Sequence, residues 1–330
     1  MKIQSKIKII GYGKATPKEL LGNDYFSKLY GQSAESIYNQ VGVLQRYRAS
    51  KETNTDLAVQ SSLIAMSRAS TELEDIDCIL SASATFDHVL PNRSSLLKAT
   101  LDVNNEHHIS CVDINTACTS FIAALDYAAM MIECKRYKRV LISSSEIASK
   151  GLNPDDAHTN TLFGDAAAAI IVEATGEDKG VIMFRQQTYS EACFDTIIPA
   201  GGNARHPKDY PYSQEEYCFE MNGKKLLKTT IPKLKVFIEK MLRESSISMH
   251  EIDTIVPHQA SKLGLKILEN LFGSRDKTIN ILKDYGNCIA ASIPLALVIA
   301  LEKGIIQPGY SILLIGTASG LGISGMVLKL

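Results

Sequence analysis

The feature that most constrains this chain is that it carries one pattern twice. Glu74-Asp75-Ile76-Asp77-Cys78-Ile79-Leu80 resembles His250-Glu251-Ile252-Asp253-Thr254-Ile255-Val256. The stretch from Cys118 through residues 139–144 resembles residues 287–301 followed by 312–316. Matching Ile132-Glu133 to Leu301-Glu302 sets Cys118 opposite Asn287. In each half, short apolar runs alternate with longer amphipathic ones, which implies mostly parallel sheets covered by helices. Two such halves packed together give an α/β body layered helix–sheet–helix–sheet–helix. The halves are expected at 1–175 and 176–330, parted at the Gly-containing linker 176–180.

Local patterns fill in this frame. Residues 7–13 (IKIIGYG) read as a strand ending in a Gly turn, and 20–48 as a polar helix with a break at Val41-Gly42-Val43. Residues 55–72 have helical apolar spacing, with Thr55 or Asn54 as the cap. The continuous apolar run 76–82 suits a central strand. A helix follows over 91–101, with Pro91 in its first turn, and then strands over 109–114, 139–144 and 163–174. In the second half, 203–218 reads as a long polar loop. Residues 222–245 form an amphipathic helix expected to kink or split at Pro232. Strands are expected at 252–257, 312–316 and 326–330, a buried helix at 292–302, and a Gly/Ser turn over 318–325.

Composition excludes several functions. With a net charge of −1 and no basic stripe, the chain is no nucleic-acid binder. No apolar run reaches the roughly 18 residues of a membrane span, and residues 1–10 alternate Lys with Ile instead of forming a signal-peptide core. Seven cysteines, an odd number without a CxxC pair, argue against a disulfide framework and a zinc site, and for a reducing cytoplasm.

Three residues sit where chemistry is expected. Cys118 follows a small-residue turn and precedes a run, Phe121 to Ile132, apolar except for Asp126 and Tyr127. A thiol at the start of such a helix lies among unpaired N–H groups, which lower its pKa and stabilise charge on a neighbouring oxygen. His258 follows the buried strand ending in Val256-Pro257, and Asn287 lies between a Gly turn and a helix. Taken singly, each has an ordinary structural explanation; together, at the mouths of elements in a duplicated scaffold, they suggest a site. Cys288 reads as a packing residue and Asp165 as a turn residue. Lys224, Lys225 and Lys228 read as a solvated helix face.

These motifs carry a resemblance. ACTSF at Cys118, FGDAAAA from Phe163, MNGKKLLK from Met221, VPHQAS at His258 and YGNCIAASIP at Asn287 resemble the thiolase-like condensing enzymes, and among them the β-ketoacyl-acyl-carrier-protein synthase III group, along the whole chain. The resemblance implies a Cys–His–Asn triad of Cys118, His258 and Asn287. It implies an oxyanion hole from the N–H of Cys118 and the turn at Ser319 and Gly320, with Leu90, Phe163, Met221 and Ala260 against the substrate. Leu90 corresponds to a residue that crosses a homodimer into the partner's acyl pocket. The implied reaction loads an acyl group on Cys118 and condenses it, with loss of carbon dioxide, with a malonyl-type extender. Substrates would be acyl-carrier-protein or coenzyme A thioesters, with no metal or redox cofactor. Where well-known members grip coenzyme A with Trp and several Arg, this chain has Ile37, Gln40, Ala157 and Leu263, which points to carrier-bound substrates and a specialised member. Acyl transfer without decarboxylation, condensation with cyclisation, and a non-catalytic subunit of a heterodimeric synthase stand as alternatives.

Overall fold

The computed structural model describes residues 3–209, 211–273 and 275–330. In chain order the first half runs β1 (Ile7–Ala15), β2 (Glu19–Gly22), α1 (Asn23–Tyr30), α2 (Ala34–Val41), β3 (Gln45–Arg48), α3 (Asn54–Ala69), β4 (Cys78–Ser81), α4 (Arg93–Leu101), β5 (Ser110–Asp113), α5 (Ser120–Glu133), β6 (Arg139–Glu146), α6 (Ala157–Leu162) and β7 (Ala166–Ala174). The second continues with β8 (Gly180–Thr188), β9 (Thr196–Ile197), β10 (Glu220–Met221), α7 (Gly223–Ser245), β11 (Thr254–Pro257), α8 (Lys262–Phe272), α9 (Leu282–Tyr285), α10 (Ser292–Glu302), β12 (Ser311–Ala318) and β13 (Gly322–Lys329).

A strand with consecutive apolar residues needs cover on both faces. On β6, Val140 and Ile142 enter a central core with Ile122 and Leu125 of α5 and Leu295 and Leu297 of α10. Leu141, pointing the other way, joins Ala65, Met66 and Leu97 of α3 and α4. β12 repeats this arrangement: Ile312 and Leu314 face the central core, while Leu313 and Ile315 meet Phe237, Met241, Leu268 and Phe272 of α7 and α8. The result is five layers, with α5 and α10 sandwiched between two sheets. α10 is buried at every position from Ser292 to Ala300, and each of its large aliphatic side chains contributes about 1.5–3 kcal/mol.

The two sheets share one strand order, β1-β7-β6-β4-β5 and β8-β13-β12-β11, and in the second the place of β5 is held by a single parallel bridge of Thr278 to Ile255 on β11. Their pairing is mixed, not mostly parallel as expected. β4 lies parallel to β5 and β6, and β11 to β12, but β7 and β13 run antiparallel to both their neighbours. The cause is plain at β12–β13: the three residues between them make a tight return, which only an antiparallel pair accepts. The Gly/Ser stretch expected as a turn over 318–325 is thus mostly strand. Small residues belong there because α7 presses on it: a Cβ on Gly325 would lie 2.8 Å from the Met241 sulfur.

Other expectations need correction. The 20–48 segment holds two short helices between two short strands, not one helix. α3 begins one residue earlier and is capped by Thr53, which exchanges hydrogen bonds with Asp56 in a capping box. The N–H groups of Asn54 and Thr55, the expected caps, donate to Asp87 instead. Pro91 lies outside α4. α7 runs unbroken through Pro232. The described residues of the 203–218 segment are irregular apart from two single 3₁₀ turns, Asn203–Arg205 and Gln214–Tyr217.

Candidate active site

Cys118 sits two residues before α5, at the end of a turn built by hydrogen bonds. Asn115 Oδ1 accepts the N–H of Ala117 (2.9 Å), and Ser120 Oγ accepts the N–H of Thr116 (3.0 Å) and donates to the Ala117 carbonyl (2.6 Å). Ala117 is thereby held at φ +51°, a left-handed conformation that costs an L-residue about 1–2 kcal/mol. The Asn287 turn is built the same way. Asn287 Oδ1 accepts the N–H of Ile289 (2.9 Å), Ile289 stands at φ +46°, and Ser292 Oγ accepts the N–H of Cys288 (3.0 Å). The structural counterpart of Asn287 is therefore Asn115, and Cys118 stands opposite Ala290. The expected pairing of Cys118 with Asn287 was counted back from the helix ends. α5 has 14 residues and α10 has 11, so that count slips by 14 − 11 = 3.

Contacts from both halves converge here. Gly316 on β12 lies so close to its neighbours that a Cβ there would be 3.1 Å from His258 Cβ and 3.1 Å from Thr119 Cγ2. Beyond β12, the backbone N–H of Ser319, like that of Cys118 itself, favours negative charge on the Cys118 sulfur. Asn287 Nδ2 donates to the Ala260 carbonyl (3.2 Å), two residues after His258, and leaves its other N–H available. Phe163 bridges to Asn287 through the backbone, and the Gly164 N–H donates to the Asn287 carbonyl (3.0 Å).

Burial sets the ionisation of the site. His258 is 4% exposed, and desolvation lowers its pKa to about 4, so the imidazole is neutral near pH 7. Its Nδ1 is buried with no hydrogen-bond partner among the described residues. The Cys118 thiol departs from expectation, its pKa pushed up to about 12 instead of down. Desolvation is the main cause and the Glu146 carboxyl the next; the N–H groups of Ser319 and Cys118 pull the other way without prevailing. Glu146, which sequence reasoning passed over, ends β6 fully buried. It accepts from the N–H groups of Ala84 (2.6 Å) and Thr85 (2.8 Å) and the Thr85 hydroxyl (2.6 Å).

The remaining candidates divide. Phe163 is buried and stacks edge-on against Phe219, with 5.2 Å between ring centroids. Met221 is half-buried on β10, next to Asn222, which caps α7. Ala260 contributes its carbonyl to Asn287. Gly320 adopts φ +121°, which favours glycine in the β12–β13 turn. Leu90 stands apart, 83% exposed on the loop before α4 beside exposed Val89. Gln40 and Leu263 are exposed, but Ile37 packs in a core with Phe26, Val41 and Leu265 and presents nothing to a ligand. Asp165 is a buried anchor, accepting from Ala49 N (2.8 Å), Ser149 N (2.9 Å) and Ser149 Oγ (2.5 Å). Lys225 pairs with Asp195 (2.6 Å) and Lys228 is exposed, while the side chain of Lys224 lies outside the described residues. Asn115 and Ser120 had a signal in the sequence: Asn and Ser recur five apart in both turns, at 115/120 and 287/292.

Comparison with known proteins agrees with this architecture. Residues 112–190 match the family 3-oxoacyl-[acyl-carrier-protein] synthase III, and residues 242–330 match the C-terminal part of that enzyme. The β-ketoacyl-[acyl-carrier-protein] synthase III of Clostridium perfringens is 33% identical, covering 98% of this chain and 99% of its own. That of Clostridium acetobutylicum is 30% identical over the same shares. The crystal structure of 3-oxoacyl-[acyl-carrier-protein] synthase III from Aquifex aeolicus superposes with a TM-score of 0.88 at 27% identity, covering 98% of this chain and all of that one. With its duplicated five-layer α/β body of the thiolase type, the chain belongs to the β-ketoacyl-acyl-carrier-protein synthase III family, condensing enzymes of the acyltransferase class.

Proposed function

We propose that this protein loads an acyl group onto Cys118 and extends it by decarboxylative condensation with a malonyl-type extender carried on acyl carrier protein. The observation that carries the reading is that Gly316 packs between His258, a buried neutral imidazole, and Thr119, the residue after Cys118, while the Asn287 amide is tied to Ala260, two residues after His258, and the N–H groups of Ser319 and Cys118 favour charge on the Cys118 sulfur. In the first step sulfur attacks the donor thioester carbonyl. The two N–H groups hold the oxyanion, the donor thiol departs with the proton, and an acyl-Cys118 thioester remains. In the second, the His258 ring N–H and the free N–H of Asn287 donate to the extender's thioester oxygen. Charge gathers there as carbon dioxide leaves, and the resulting carbanion attacks the acyl-Cys118 carbonyl. Cys118 departs as thiolate and is reprotonated. An imidazole with its pKa near 4 suits this step, because an imidazolium would quench the carbanion. The reaction so written calls for no metal or redox cofactor.

In the same reading, residues 1–175 supply the nucleophile and 176–330 the two donors, while Phe163, Met221 and Ala260 border the substrate. The protein acts as a homodimer, each Leu90 reaching the partner's acyl pocket, in a reducing cytoplasm. Support comes from the exposed apolar Phe86, Val89 and Leu90, and from seven cysteines that are all free thiols. No helix among the described residues is long and apolar enough to cross a membrane. Exposed Gln40 and Leu263, uncharged where related enzymes place basic groups, favour a carrier-bound donor.

The test is intact-protein mass spectrometry after incubation with a panel of acyl-coenzyme A and acyl-carrier thioesters, with Cys118→Ala as control. A mass gain absent from the control supports the reading; none with any donor overturns it. In parallel, His258→Ala and Asn287→Ala should each slow carbon dioxide release from malonyl-carrier protein by about 10²–10³-fold.

A further inference from the structure

The twin construction of the two turns has a consequence for Cys118. In the second half, the amide that closes the turn is also proposed to act on substrate: Asn287 Oδ1 holds the Ile289 N–H while its nitrogen serves the site. In the first half those jobs are separated. Asn115 keeps the turn-closing bond to Ala117 (2.9 Å) with an exposed side chain, and the reacting atom lies three residues on, at Cys118. The left-handed backbone of Ala117, one residue before Cys118, turns the chain between extended Asp113 and helical Ser120 and so sets where that sulfur points. No β-carbon-bearing residue prefers φ +51°, so something must hold it. Ser120 Oγ holds the outer ends of the turn, at Thr116 N and Ala117 O. The Ala117 N–H itself is held by Asn115.

We propose that Asn115 is a positioning residue for the nucleophile: its side-chain oxygen locks the left-handed turn at Ala117 that aims the Cys118 sulfur at the N–H groups of Cys118 and Ser319. It acts through the backbone and touches no substrate. This builds on the proposed role of Cys118, so the primary readout is chosen to be independent of the condensation chemistry.

That readout is the rate of alkylation of Cys118 by iodoacetamide at pH 8, located by peptide mass spectrometry, in Asn115→Ala, Ala117→Gly and the double variant. Asn115→Ala should slow alkylation about tenfold, by letting the turn relax and the sulfur swing from its donors. Glycine adopts positive φ without strain and removes the need for the lock. Ala117→Gly and the double variant should therefore react at rates within about twofold of each other. Malonyl decarboxylation, assigned to His258 and Asn287, should be unchanged in all three. The proposal is overturned if Asn115→Ala reacts like the wild type. It is equally overturned if the double variant is as much slower than Ala117→Gly as Asn115→Ala is than the wild type, since Asn115 would then act by some route other than the turn. If Asn115→Ala does not fold, the comparison of Ala117→Gly with the double variant decides the matter alone. A wild type that alkylates but never takes up an acyl group would sink the proposed function while leaving this inference standing.

Discussion

At the scale of single residues, the site works against its own ionisation. A helix start was expected to make the Cys118 thiol acidic, yet burial and the Glu146 carboxyl outweigh the two N–H groups that favour the thiolate. Ionisation therefore lies beyond the physiological range. The rate of Cys118 alkylation should rise about tenfold per pH unit from 7 to 10 without a plateau; a plateau near pH 8.5 would show an ordinary thiol. His258 makes the opposite statement. Its folded pKa, near 4, lies below the 6.5 of an unconstrained imidazole, so between these values the unfolded chain binds the extra proton. Stability is present in full above pH 6.5 and is lost as pH falls towards 4. Up to about 3 kcal/mol is at stake. Thermal melts of the wild type should drop over that window, and those of His258→Gln should drop less.

At the scale of elements, small residues set the distances. β1 meets α3 almost backbone to backbone: a Cβ on Gly13 would lie 2.2 Å from the Ser61 carbonyl oxygen, and one on Gly11 2.2 Å from that of Ala65. Neither oxygen can yield without breaking helix hydrogen bonds. Gly13→Ala should destabilise by about 3 kcal/mol or more in denaturant unfolding. Gly22→Ala, with open space around it, should cost under about 0.5 kcal/mol. The same logic applies to Gly316 beside the proposed site, where β12 passes between His258 and Thr119 with a Cβ position 3.1 Å from each. Ordinary sequence signals built the rest. The Thr53–Asp56 box starts α3, Asn222 starts α7 by accepting from Lys225 N, and Ser261 starts α8 by accepting from Gly264 N.

At the scale of the whole molecule, duplication explains how the proposed nucleophile and its two proposed partners come to share a site. The same strand order in both sheets brings the ends of β6 and β12, and the starts of α5 and α10, to one edge of the body. The exposed loop carrying Phe86, Val89 and Leu90 is braced by Asp87 to the start of α3 and, through Thr85, by Glu146, so its apolar tip is held out rigidly. Size-exclusion chromatography with light scattering should return twice 36.1 kDa. Leu90→Arg should shift the population to the single-chain mass by burying an unpaired charge; an unshifted dimer would remove this loop from the interface.

The sequence by itself determined the repeat, the layer order, the run of most strands and helices, and the identity of Cys118, His258 and Asn287 as residues at the mouths of elements. These rest on local periodicity and on motifs contiguous in the chain. Tertiary structure decided what depends on residues distant in sequence. It set β7 and β13 antiparallel to both their neighbours, left α7 whole across Pro232, buried Ile37 and shifted the internal register by three residues. It also raised the Cys118 pKa, because the balance of desolvation, a carboxyl at the end of β6 and an N–H from the far half exists only once the two halves are packed together.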